Sequence, residues 1–319
     1  MPGKTLYCLG EAWLELNSTA PLASAETFSL RMGGSAASLA LAYAAQGGKV
    51  SLLTQLGEDA FGHRIADALS AAGVDISRVC FTSRAPTPLL FDGGGEQLGC
   101  RTRSSELLYA PEQLGADWAA DAEMLAFSSA CLVDSPCRYT HLAALDTART
   151  AGVPVCFVPS LRPALWPGEK TLRDTVMQFL PFADILVLTA DEMELLLDTR
   201  EYQVGLFALL RGYTQLVVLE TEEGVHAFTP GSTRIPARAF RPARRAGRTA
   251  AVSNLSAGAD PEKAHEMQCS GTPDTSITPE SPRLCRRGLS VYPVIRRRMS
   301  RSAYQWMNTG PSGLVMGLT

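Results

Sequence analysis

Short, largely apolar runs alternate with stretches of helical period through about the first 235 residues of the chain. Residues 5–9 (TLYCL) read as a strand buried on both faces, closed by Gly10. Similar runs recur at 50–53, 124–127, 153–158, 185–188 and 216–219. Between them, 35–46 is rich in Ala and Leu and ends at Gly47-Gly48, a helix stop. Residues 61–72 place Ile65, Ala68, Leu69 and Ala72 on one helical face before Gly73. Helical patterns follow at 140–151, 190–197 and 206–210. This order predicts an α/β fold with a central, mostly parallel sheet, helices on both faces and right-handed crossovers. The extended pieces at 12–16 and 89–102 break the alternation, and the second is folded about Gly93-Gly94-Gly95. They predict a small separate β-lobe.

The alternation stops near Arg234. Residues 234–319 carry thirteen Arg and one Lys against five acidic residues, a balance of +9, whereas residues 1–233 carry −12. A basic, aperiodic stretch with scattered Pro, Ser and Thr buries too little apolar surface to offset its ordering entropy. The expected division is therefore a domain over 1–236, with lid segments near 12–32 and 87–103, and a tail over 237–319 that is poorly ordered. The tail's Arg clusters suit phosphate contacts, but no aromatic platform or binding motif accompanies them, so nucleic acid is not an expected partner.

None of the eight cysteines forms a C-x-x-C pair, and most sit in apolar runs, so buried free thiols in a reducing compartment are expected. The four histidines lack metal-ligand spacing, and no zinc site is expected. No apolar stretch reaches the ~18 residues of a membrane span. The first residues lack the apolar core of a signal peptide. The expected location is the cytoplasm.

Three runs carry a resemblance. Met32-Gly33-Gly34-Ser35-Ala36-Ala37-Ser38 is a glycine pair leading into an Ala-rich helix. Gly57-Glu58-Asp59-Ala60-Phe61-Gly62 is similar to G-x-D-x-x-G, and Gly73-Val74-Asp75 to G-V-D. In this order they resemble the PfkB (ribokinase-like) family of carbohydrate kinases over about residues 4–235. Two further runs look fructokinase-like. Residues 95–103 (GEQLGCRTR) resemble the family's lid strand, and Pro159-Ser160-Leu161-Arg162-Pro163 resembles D-P-N-L-R-P. The resemblance implies a ribokinase-like fold with a β-lid over a sugar site, and ATP and Mg²⁺ at the sheet's C-terminal edge. It also implies a possible homodimer through the lid.

Carried over residue by residue, the resemblance puts Glu15, Gly33, Gly34, Ser38, Arg103 and Arg162 at the sugar. It puts Thr189, Thr221 and Gly224 at the nucleotide and links Glu192 to Mg²⁺. The chain departs from the pattern at several of these positions. Glu15 stands for a shorter Asp, Ser38 for Asn, Val158 and Ser160 for the Asp and Asn of D-P-N, and Thr189 for Asn. Thr221 stands where a glycine would allow positive φ. The second signature, G-A-G-D, supplies an anion hole and a base. It is due near 245–252, where the chain has no carboxylate; Asp260, in Ala257-Gly258-Ala259-Asp260, is only a distant echo. Three readings follow: a kinase by descent whose C-terminal part was replaced, as by a shift of reading frame; a sugar- or nucleotide-binding protein without transfer; and a tail that binds nucleic acid. Fructose and 2-keto-3-deoxygluconate both remain open as the sugar.

Overall fold

The computed structural model describes residues 4–230 except 116, 211, 213 and 223, so the expectations for the tail and for Asp260 lie outside the described residues. The chain runs β1 (Thr5–Leu9), β2 (Trp13–Ser18), β3 (Ser29–Gly33), α1 (Ser35–Ala45), β4 (Val50–Gly57), α2 (Ala60–Ala71) and β5 (Val79–Thr82). It continues with β6 (Leu89–Gly93), β7 (Glu96–Cys100), the one-turn α3 (Pro111–Leu114), β8 (Ala122–Phe127), α4 (Pro136–Ala151) and β9 (Val155–Phe157). It closes with α5 (Glu169–Phe179), β10 (Ile185–Thr189), α6 (Ala190–Leu197), α7 (Tyr202–Leu210), β11 (Leu216–Thr221) and β12 (Gly224–Phe228).

Two sheets result. The larger has the order β12-β11-β10-β9-β8-β1-β4-β5 and is parallel except for the edge strand β12. The smaller has the order β3-β2-β6-β7, with one parallel pair between two antiparallel ones. Its hairpin β6–β7 turns at Gly94 (φ 61°) and Gly95 (φ 87°). Two consecutive positive φ values match the twist of the strands, which is why glycines stand there. The structure thus bears out the expected fold: a mostly parallel sheet flanked by helices, with a small second sheet.

Alternation along β1 divides the core. Leu6 and Cys8 pack with Ala36, Ala40 and Tyr43 of α1 and Ile65 and Leu69 of α2. Tyr7 and Leu9 point the other way, toward Leu145 of α4, Phe179 of α5 and Leu196 of α6. All eight residues of β4 and all six of β8 are buried, as covering both sheet faces demands. Phe127 and Phe157 stack at 4.3 Å between neighbouring strands.

Local chemistry explains the helix ends. Asp59 caps α2 by accepting from the N–H groups of Phe61 and Gly62. Pro136 opens α4 at its first position, four residues before the predicted start, and Gly152 closes it in the left-handed region. Thr189 and Glu192 form a capping box on α6. Of the cysteines, Cys8, Cys131, Cys137 and Cys156 are buried free thiols as expected, while Cys80 is half-buried and Cys100 is exposed. Among the described residues, no helix is long and apolar enough to cross a membrane.

Candidate functional site

Because β1, β8, β9 and β10 are parallel, the loops that follow them share one edge of the sheet. Glu11, just past β1, is fully buried there. Its Oε1 accepts from the Ser35 N–H at the start of α1 (2.7 Å), and its Oε2 from the Ser128 hydroxyl just past β8 (2.7 Å). A carboxylate at a helix N-terminus satisfies a donor that the helix cannot and opposes its positive end. The Ser35 hydroxyl donates to or accepts from that of Ser160, past β9, at 2.8 Å. Leu161 then donates its N–H to Glu192 Oε1 (2.8 Å), while Glu192 Oε2 accepts from Thr189 N–H (2.9 Å). The edge is thus laced from β1 to α6.

The chain enters α1 through a tight passage. Gly34 has φ 100°, and a Cβ there would lie 2.4 Å from the backbone oxygen of Glu11. Only glycine fits.

The second sheet meets this edge through Glu15 of β2. Glu15 Oε1 accepts from Trp13 Nε1 and from Arg162 Nη1, both at 3.1 Å. Arg162 belongs to the loop after β9, so this ion pair spans the two sheets; both side chains are about one-fifth exposed. The Arg162 guanidinium also lies 5.4 Å from the Trp13 ring centre, and that of Arg101 lies 5.1 Å away. Arg101 is buried, bonds Glu106 Oε1 through Nε at 2.9 Å, and donates to the Ala130 carbonyl at 3.1 Å. Burial pushes the Glu106 carboxyl above its usual range, and the charge of Arg101 works against that rise.

The candidates are not gathered equally. Glu15, Gly33, Gly34 and Arg162 converge where the two sheets meet. Ser38 sits half-buried one turn into α1, its N–H bonded to the Gly34 carbonyl. Arg103 is exposed and has φ 58°; of the two arginines that follow β7, it is Arg101, two positions earlier, that reaches Trp13. Glu192 and Thr189 serve the capping box, and both Glu192 oxygens already accept N–H groups. Thr221 and Gly224 pair at the β11–β12 turn, where the Thr221 hydroxyl donates to the Gly224 carbonyl (3.1 Å). Thr221 is an extended strand residue without positive φ, and Gly224 has φ 139°. Glu11, Trp13 and Arg101 were passed over in the sequence.

The profile of the pfkB family carbohydrate kinases matches residues 4–250. The chain belongs to the pfkB family. Among relatives, a probable fructokinase-5 of Arabidopsis thaliana is 31% identical over 215 residues, covering 65% of this chain and 66% of that one. Fructokinase-1 of Zea mays is 34% identical over 180 residues, covering 55% and 56%. The chain thus spans about half to two thirds of the length of these relatives. Among solved structures, the fructokinase of Xylella fastidiosa with bound ATP superposes with a TM-score of 0.66 at 28% identity, over 73% of this chain and 77% of that one. A double-mutant fructokinase of Vibrio cholerae, at 23% identity and TM-score 0.66, shares the fold over 77% of this chain and 79% of that one. The pfkB fold here is therefore of the fructokinase type, with the smaller sheet as its β-lid.

Proposed function

We propose that this protein is a carbohydrate kinase by descent that binds a neutral, fructose-like sugar between the lid and the sheet edge. The observation that carries the reading is Glu15, held at the junction of the two sheets beside Gly33 by Trp13 and Arg162. A carboxylate so placed accepts hydrogen bonds from sugar hydroxyls, and a glycine-lined floor lets the ring approach closely. The two guanidiniums at Trp13 are both matched by carboxylates, Arg162 by Glu15 and Arg101 by Glu106. This balance favours a polyol over an acid such as 2-keto-3-deoxygluconate.

ATP is the donor that the family implies, and the similarity to an ATP-bound fructokinase supports it. Thr189, Thr221 and Gly224 lie at the ends of β10 to β12, on the nucleotide side of the reading. Mg²⁺ fits less well. Among the described residues no three acidic, His or Cys side chains gather to hold a metal. Glu192 has both oxygens bonded to backbone N–H groups, so direct ligation by it does not fit. Exposed Leu98 on the lid's edge strand β7 supports a homodimer through the lid, and the free thiols support a cytoplasmic setting.

One observation favours a second reading, binding without transfer: residues 245–252, where the family's base is due, contain neither Asp nor Glu. Phosphoryl transfer rests on positioning and charge neutralisation around such a group. A coupled ADP-release assay over a sugar panel, with and without Mg²⁺, run beside calorimetric titration, separates the two. ADP release with fructose establishes the kinase. Fructose binding without release establishes the second reading, and no binding by any sugar overturns both.

A further inference from the structure

The run Gly57-Glu58-Asp59-Ala60-Phe61-Gly62 plays no part in the site described above, yet its geometry is more constrained than a helix cap requires. Asp59 Oδ1 accepts from the N–H groups of Phe61 (3.0 Å) and Gly62 (2.8 Å), which is the cap. The same carboxylate also reaches Thr87, twenty-eight residues away. Oδ1 accepts from the Thr87 hydroxyl (2.8 Å) and Oδ2 from the Thr87 N–H (2.8 Å). The Thr87 hydroxyl in turn accepts from Gly57 N–H at 3.1 Å. Thr87 lies between Pro86 and Pro88, so its N–H is the one backbone donor of that tripeptide. A Cβ on Gly57 would lie 2.3 Å from Asp59 Oδ2, and one on Gly62 would lie 2.1 Å from the Gly57 oxygen. The glycines let the clasp close.

Thr87 is the foot of the lid. Pro88 accepts from Leu14 N–H at 3.2 Å, Leu89 pairs with Leu14, and Leu90 pairs with Glu15. The returning foot is fixed beside it: Ser105 donates its N–H to the Pro86 carbonyl (2.9 Å), and Gln55 Nε2 donates to the Ser105 carbonyl (2.9 Å). Both feet of the β6–β7 hairpin are therefore tied to the C-terminal end of β4, and the register carrying Glu15 begins at the clasped residue.

We propose that Asp59 is a positioning residue for Glu15, acting through its clasp on Thr87 to fix the lid strand against which Glu15 is registered. The inference rests on the reading of Glu15 as the sugar-binding carboxylate. Asp59 does two separable things: it caps α2 and it anchors the lid. Partial burial opposes its ionisation, but the hydrogen bonds from Thr87, Gly62 and Phe61 outweigh this and hold its carboxyl below the usual range.

Two variants each break one half of the clasp and keep the cap: Asp59→Asn loses the bond from the Thr87 N–H, and Thr87→Val loses the bond from the Thr87 hydroxyl. In Asp59→Asn the amide oxygen still caps the helix, since Asn caps as well as Asp, but the NH₂ faces the Thr87 N–H, donor against donor. In Thr87→Val the shape stays and the hydroxyl goes. Thr87→Ser restores the hydroxyl and serves as the rescue. The readouts are amide exchange by mass spectrometry, in peptides covering 89–92 and 63–71, and calorimetric D-fructose affinity. Losing hydrogen bonds to a charged group predicts about a tenfold weaker fructose affinity in D59N and T87V. Exchange at 89–92 should rise by a similar factor, with 63–71 unchanged and T87S like the wild type. Wild-type exchange at 89–92 in both variants, or equal loosening of the lid and α2, overturns the clasp. If the wild type binds no fructose, the reading of Glu15 falls and the proposal with it, while exchange still decides whether Asp59 anchors the lid.

Discussion

The carboxylate of Glu15 fills the space that a side chain on Gly33 would need: a Cβ there would lie 2.5 Å from both Cδ and Oε1 of Glu15. The two glycines of the pair therefore do different work. At Gly33 the obstacle is the end of a flexible side chain, which can move. At Gly34 it is the Glu11 backbone, 2.4 Å away, and φ is 100° as well. Gly33→Ala should cost only about the 1–2 kcal/mol of the displaced Glu15–Arg162 contact, whereas Gly34→Ala should cost about 3 kcal/mol or more, by strain at positive φ plus a backbone clash. G33A should nonetheless push Glu15 off Arg162 and lower sugar affinity. Urea unfolding of both variants, with fructose titration of G33A, checks the contrast. Equal destabilisation would contradict it.

Much of this architecture is legible before any coordinates. Runs such as LVVL at 216–219 sit in a sheet covered on both faces, so continuity of apolar residues marks the strands. Gly94 and Gly95 mark the lid hairpin because its turn demands positive φ. Helix α5 escapes the sequence reading even though Leu172, Val176 and Phe179 keep a helical spacing, because the polar residues between them dilute the pattern. Strands β3 (SLRMG), β5 (VCFT) and β12 (GVHAF) mix polar or small residues into runs too short to show a period. Glu11 is invisible for another reason: a lone acid after a glycine gains meaning only from Ser128, 117 positions away. The arginines show the limit of motif spacing. Strand β7 ends at Cys100, and the chain then turns, with Arg103 in the left-handed region, so Arg101 goes inward and Arg103 outward.

The Glu15–Arg162 pair joins lid to body, so its strength should appear in a double-mutant cycle. Both groups are mostly buried, and removing one leaves the other's charge uncompensated. Glu15→Gln and Arg162→Gln should each cost about 1–3 kcal/mol, with a favourable coupling of about 1–2 kcal/mol. Chemical denaturation of the two single variants and the double supplies the cycle. A coupling near zero would mean that the pair does not hold the lid. Arg162→Lys should recover only part of the coupling, because an ammonium cannot lie flat against Trp13 while bonding Glu15.

Glu192 ties the α6 turn to the Ser160–Leu161 loop through two backbone donors. Glu192→Gln keeps one acceptor and turns an NH₂ toward the other N–H. It should destabilise by about 1–3 kcal/mol even with no Mg²⁺ or nucleotide present. The measurement is thermal unfolding of E192Q and wild type in EDTA. Unchanged stability there would return Glu192 to a role that needs the metal.

Asp121 makes a modest, pH-dependent contribution to stability at the sheet edge opposite the candidate site. Its carboxylate accepts from Tyr7 Oη (2.7 Å) and Thr5 Oγ1 (2.8 Å) and pairs with Lys49 at 3.0 Å. Burial opposes its ionisation, but those partners win and lower its pKa to about 2, while burial and the same Asp121 push Tyr7 up to about 12. An unfolded Asp titrates near ~3.9. The folded value lies below the unfolded one, so the stabilisation is complete above about pH 4 and is lost as pH falls through about 2. The Asp121 side chain is 47% exposed, so the contribution is modest and should weaken in salt. Asp121→Asn should be less stable than wild type at pH 7, and the gap should close between pH 4 and pH 2. Unfolding midpoints of both proteins across that window test the sign, and a gap that widens on acidification would show that the Asp121 carboxylate does not stabilise the fold.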